Sequence, residues 1–142
     1  MNRISLFMLL VMVLLVPSVW AQDRATFTVG SATAARGQKA TGTIEVPPGV
    51  DTSTSIAVAV IHGSRPGPVL ALVAGAHGTE YASIIALEKM ISALNPADIS
   101  GTVIVVPLVN VQSFERKVPH VNPIDVNIMN RMYPGKIDGT ET

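Results

Sequence analysis

Two apolar runs, "SIAVAVIHG" and "PVLALVAGA", are separated only by "SRPG", and a third, "TVIVVPLVN", follows further along the chain. Runs this continuous and this rich in Val and Ile are typical of strands covered on both faces. The earlier segments "FTVG" and "TGTIEV" alternate instead, as half-exposed strands do. Between the second and third apolar runs, Ile84, Leu87, Ile91 and Leu94 recur at three or four residues while Glu88, Lys89 and Ser92 fall elsewhere, which predicts an amphipathic helix ended by "NPADISG". Strand, helix and strand then form a βαβ-like unit, which favours parallel pairing. The expected fold class is therefore α/β: a central mixed, largely parallel sheet flanked by helices, with a short amino-terminal β-segment. Beyond Asn110 the periodicity is lost, and "VQSFERKVPHVNPIDVNIMNRMYPGK" reads mostly as loop.

The first residues stand apart from this pattern. "MNR", the apolar run "ISLFMLLVMVLLV" and "PSVWAQ" form a secretory signal, with Val19 and Ala21 at the small-residue positions before a cut. The run is shorter than the ~20 residues that span a bilayer, and Pro17 interrupts it. The expected organisation is a signal peptide over residues 1–21, a β-rich segment over 22–54 and the main domain over 55–142, in a secreted or periplasmic protein. The chain has no cysteine, so disulfides and thiolate metal sites are excluded. A formal net charge of +0 without a basic run gives no electrostatic footprint for nucleic acid, and nothing after the leader suggests a membrane partner.

Against that background the stretch "LVAGAHGTEYASIIALEKM" is chemically distinctive. His77 and Glu80 stand three apart where a strand ends and a helix begins, a common place for ligand sites in open α/β sheets. Gly75 and Gly78 allow a tight turn, and an imidazole nitrogen and a carboxylate at this spacing can converge on one ion. The alternative is purely structural: Glu80 favourable at the helix amino end and Thr79 as its cap.

The "GAHGTE" turn resembles the zinc-ligand turn of the succinylglutamate desuccinylase and aspartoacylase family, relatives of the zinc carboxypeptidases. "VVPLVNVQSFER" is similar to that family's strand and Asn-containing loop, and "NPIDVNIMNRMYPG" to its Asn-Arg substrate motif. The resemblance covers about residues 55–136 and implies a zinc carboxypeptidase-like fold with Zn2+ as cofactor. It implies His77 and Glu80 as metal ligands, and Asn130 with Arg131 as the holder of a substrate carboxylate, which a planar guanidinium can bind through both oxygens. Arg116 corresponds to the arginine that polarises the scissile carbonyl, with Lys117 beside it as the alternative. Val126 stands where the family has glycine, and Asp125 is retained as a turn residue. The family's second zinc histidine and its glutamate base are expected beyond Thr142. The other two histidines, His62 and His120, read as ordinary polar loop residues.

The resemblance implies an exported zinc-dependent hydrolase of amide bonds, acting on a small N-acyl amino acid or a peptide, with this chain as its amino-terminal part. A non-catalytic exported carboxylate-binding module, or a relic, is the competing expectation.

Overall fold

A computed structural model describes residues 24–142; the expected signal peptide lies outside the described residues. The strands are β1 (Thr26–Val29), β2 (Ala32–Ala35), β3 (Gln38–Val46), β4 (Thr54–His62), β5 (Arg65–Val73) and β6 (Ser100–Val106). Helix α1 (Tyr81–Ala93) links β5 to β6, a short helix α2 (Val111–Glu115) follows β6, and single 3-10 turns occupy Pro96–Asp98 and Met129–Arg131.

β1 and β2 form a two-stranded hairpin, and the other four strands make one sheet in the order β3-β4-β6-β5. The β5-α1-β6 unit is parallel, as the strand-helix-strand pattern predicts. The sheet is mixed, but the expectation that it is largely parallel is overturned: β3 pairs with β4, and β4 with β6, antiparallel. The cause lies in the connections. Only Gly63 and Ser64 join β4 to β5, too little chain for the crossover that parallel strands require, so β5 runs opposite to β4 and β6 inserts between them.

Burial divides the two adjacent apolar runs. In β4, Val58 and Val60 face one side and Ala59 and Ile61 the other, all buried, which follows from the two-residue period of a strand. β5 is not covered as its apolar run suggests: Val69, Leu70 and Val73 are each about half exposed. Pro66 and Pro68 lie in this strand, and residues that cannot donate to a ladder belong at a sheet edge.

Two clusters hold the sheet. On one face Ala32 and Ala34 of the hairpin pack with Val58, Val60 and Val106, joined by Phe27, Val29 and Ile44. On the other, Leu87, Ile91 and Leu94 close over Ala59, Ile61 and Val105. These are three of the four residues whose spacing predicts the helix; the fourth, Ile84, is also buried. Lys39 of β3 reaches the carboxyl end of α1 and donates to the carbonyls of Ile91 and Ser92, which satisfies acceptors the last turn leaves open. The packing thus fixes α1 against the sheet and, with it, the turn at its amino end.

Candidate functional site

That turn begins where β5 gives out. The amide of Ala74 still bonds the Val106 carbonyl, and Gly75 then adopts φ +70°, in the left-handed region that glycine enters without strain. The segment after β6 closes around the turn. Val109 and Asn110 donate their amides to the carbonyls of Ala74 and Gly75, and the Asn110 side-chain amide donates to the Ala76 carbonyl. The Asn110 oxygen accepts from the Ser113 amide and so caps α2. Ser113 Oγ accepts from the Gly78 amide and donates to the Val118 carbonyl. Asn110 and Ser113 are therefore buried connectors between α2 and the His77 turn. Their site-building role was missed from sequence alone, although an Asn directly after a strand is itself a candidate helix N-cap.

His77 and Glu80 meet as the motif implies. His77 Nδ1 lies 3.0 Å from Glu80 Oε1; His77 is largely enclosed at 19% side-chain exposure, whereas Glu80 is open at 60%. Glu80 occupies the N-cap of α1, yet its carboxylate makes no capping bond to the helix, and Thr79 is not the cap. The expected Thr79 cap is thus not made, while Glu80 does stand at the helix amino end, where its charge suits the macrodipole. His77 Nε2 is buried without a hydrogen-bond partner, a costly state for a polar nitrogen and an opening for a further ligand.

The remaining histidines differ from their sequence reading. His62 is a buried strand-end residue with both nitrogens engaged, by the Thr102 hydroxyl and the Arg24 carbonyl, each at 2.8 Å. His120 lies in a loop but packs its ring edge-on to His77, with centroids 5.1 Å apart and planes at 87°. Among the described residues no three His, Asp or Glu side chains are grouped to hold a metal ion.

The other motif residues lie in the loops beyond. Arg116 is the C-cap of α2 and Lys117 follows at φ +55°. Asn130 and Arg131 sit exposed on the Met129–Arg131 turn. No hydrogen bond, ion pair or ring contact among the described residues joins Arg116, Lys117, Asn130 or Arg131 to His77 or Glu80. Val126, at the family's glycine position, has φ +61°, which is strained for a β-branched residue.

Asp125 organises this region. It accepts from the amide of Asn127 and from the amide and hydroxyl of Thr142. Burial pushes its carboxyl up, but the Thr142 hydroxyl, the Asn127 amide, Thr140 and the Thr142 amide outweigh that and hold it at about 2. Glu141 moves the other way: burial raises it, the Asn122 side chain draws it down, Asp125 and Asp51 raise it, and Arg116 lowers it. Since the folded Asp125 titrates below its ordinary value of 3.8, its stabilising contribution is present above that value and is lost as pH falls from about 4 to about 2. Asp125→Asn is expected to lower neutral-pH stability by on the order of 1–2 kcal/mol and to flatten this acid limb. Urea midpoints of both proteins across that window check it; since Asp125 also raises Glu141, the difference includes the relief of that repulsion.

Residues 66–142 match the catalytic-domain model of succinylglutamate desuccinylase/aspartoacylase, more than half of the chain. The chain belongs to the succinylglutamate desuccinylase/aspartoacylase family. Within that family it is 40% identical over 76 residues to the N-alpha-acetyl-L-2,4-diaminobutyric acid deacetylase of Halomonas elongata, covering 54% of this chain and 22% of that protein. The product-bound structure of the ectoine utilization protein EutE (DoeB) from Ruegeria pomeroyi matches with a TM-score of 0.68 and 28% identity, over 84% of this chain and 36% of that one. An aspartoacylase family protein of Mesorhizobium loti matches with a TM-score of 0.68 and 26% identity, over 83% and 37%. The succinylglutamatedesuccinylase/aspartoacylase of Rhodobacter sphaeroides matches with a TM-score of 0.63 and 28% identity, over 72% and 32%. The chain thus spans about a fifth of the curated deacetylase it matches and about a third of the solved relatives.

Proposed function

We propose that this protein is the amino-terminal part of an exported, zinc-dependent amide hydrolase that removes the acyl group from small N-acyl amino acids. The observation that carries the reading is the juxtaposition of His77 Nδ1 and the Glu80 carboxylate at the strand-helix turn, with that carboxylate making no helix-capping bond. One imidazole and one carboxylate are donors that zinc accepts, so the residues fit the metal, and these two would hold it. Zinc bound there supplies Lewis acidity that lowers the pKa of its water to ~7. Asn130 and Arg131 hold the substrate carboxylate, Arg131 through its guanidinium fork, and Arg116 stabilises negative charge developing on the acyl oxygen. Glu80, being exposed, leaves the ligand side of the turn open to substrate. On this reading the further zinc ligand and the general base are not among the described residues, which hold no group of three donors. The leader directs the protein to the periplasm or outside the cell.

A panel of N-acetyl and N-succinyl amino acids, assayed on the full-length protein that carries these 142 residues with free amine as the readout, tests the activity. The expected result is amine release that stops on zinc chelation and returns when zinc is restored. Stoichiometric zinc with no amine released from any member contradicts the hydrolase. A second reading, a carboxylate-binding module without turnover, draws on Asn130 and Arg131, which sit exposed on their own turn with no bond to His77 or Glu80. In that case the same N-acyl amino acids bind, Arg131→Ala abolishes their binding, and none is cleaved.

A further inference from the structure

His120 is engaged in two ways that an ordinary loop residue is not. Its ring stands edge-on to the His77 ring, at 5.1 Å and 87°, the arrangement in which the positive rim of one aromatic meets the negative face of another. Its backbone sits at φ +70°, and the amide of Val121 bonds the carbonyl of Pro119 at 2.9 Å across it. Together these define a γ-turn with positive φ at its centre, a rare and strained form. Strain of this kind persists only where the surroundings hold it, and it gathers at functional sites. Here Pro119 and Val121 flank the turn, and Val118 is tied to Ser113, which also bonds the Gly78 amide. The loop that presents His120 and the turn that presents His77 are thus joined through one hydroxyl.

The His77 imidazole has one soft degree of freedom, rotation about the bond to its ring, and a half-turn exchanges Nδ1 with a carbon. Glu80 opposes that flip from one edge, through Nδ1. Nothing hydrogen-bonds the opposite edge, since Nε2 has no partner. Among the described residues, the aromatic ring in contact with the His77 imidazole is that of His120. We propose that His120 is a positioning residue: its ring, held by the strained γ-turn, fixes the His77 imidazole in the orientation that directs Nδ1 beside the Glu80 carboxylate. The consequence for metal binding rests on the zinc reading above; the orientation of the ring does not. His120 acts through the face or edge of its ring, not through a nitrogen given to the metal, in keeping with the lack of a three-donor group.

Two substitutions separate the ring from its nitrogens. His120→Gly removes the ring and suits the positive φ, so the fold is retained; His120→Phe keeps an aromatic and removes both nitrogens. Proton–nitrogen spectra of the imidazoles in the metal-free protein, and competitive zinc titration of the same three proteins, are the readouts. In wild type and His120→Phe the His77 ring nitrogens give one ordered signal set, and zinc affinity stays close between them. In His120→Gly the His77 signals shift and broaden, and zinc affinity falls ~10–100-fold, as for loss of a residue that orients a ligand. Unchanged His77 signals in His120→Gly overturn the proposal. Equal damage in His120→Phe and His120→Gly overturns it too, because the nitrogen and not the ring would then be what matters. A wild-type protein that takes no zinc refutes the metal reading, while the metal-free spectra still decide the positioning role.

Discussion

Gly78→Ala is expected to destabilise the protein by about 3 kcal/mol or more, because the added methyl has no place to go. A Cβ at Gly78 would stand 2.1 Å from the Phe114 amide nitrogen and 2.6 Å from the Ser113 carbonyl carbon. Both are backbone atoms of α2, so relief requires the helix to move away from the turn and not a side chain to rotate. Such a movement breaks the bond from the Gly78 amide to Ser113 Oγ, and with it the link to Val118 and the His120 loop. The substitution therefore strikes stability and site geometry together. Chemical denaturation gives the first effect. For the second, the His77–His120 ring contact, read from the imidazole spectra, is expected to be lost even where the folded state is recovered by a stabilising osmolyte. An alanine variant as stable as wild type would show that α2 does not lie against the turn.

Asn110→Ala is expected to cost about 2–4 kcal/mol, since one deletion orphans groups on two elements. Asn110 is 1% exposed, and its side chain donates to the Ala76 carbonyl while accepting from the Ser113 amide. Removing it leaves a buried carbonyl immediately before His77 and an uncapped α2, and water has little access to either. Asn110→Asp is the informative companion. It keeps the acceptor that caps Ser113 but turns the donor to Ala76 into a second acceptor, so α2 survives while the His77 turn is repelled. Stability is expected to recover in part, by roughly the value of the cap, ~1 kcal/mol, and zinc affinity is not. Thermal unfolding and zinc titration of the two variants check the separation. If Asp restores both, the bond to Ala76 contributes nothing to the site.

Much of this arrangement could be read before folding, and the reasons are local. The three-and-four spacing of Ile84, Leu87, Ile91 and Leu94 is set by one helix against one sheet, so it survives as a sequence pattern. The His77–Glu80 pair is likewise local, three residues apart on one turn. Strand direction was not legible in the same way, because the β4–β6 pairing joins segments far apart and depends on the brevity of the Gly63–Ser64 link. The exposure of β5 did leave a trace, in Pro66 and Pro68, which a reading based on apolar continuity passes over. α2, at five residues, is too short to show a period; only its Asn110 cap announces it. The approach of His120 to His77 is a product of loop closure through Ser113 and Val118, and no spacing rule reaches it.

The central claim is that His77 and Glu80 are metal ligands and not a helix-end pair. Competitive zinc titration of the purified full-length wild type and of its His77→Ala variant tests it most directly. One zinc per wild-type chain, with affinity at least ~100-fold weaker in His77→Ala, is the predicted result. A wild-type protein that binds no zinc, or a His77→Ala protein that keeps its full complement, would contradict the account.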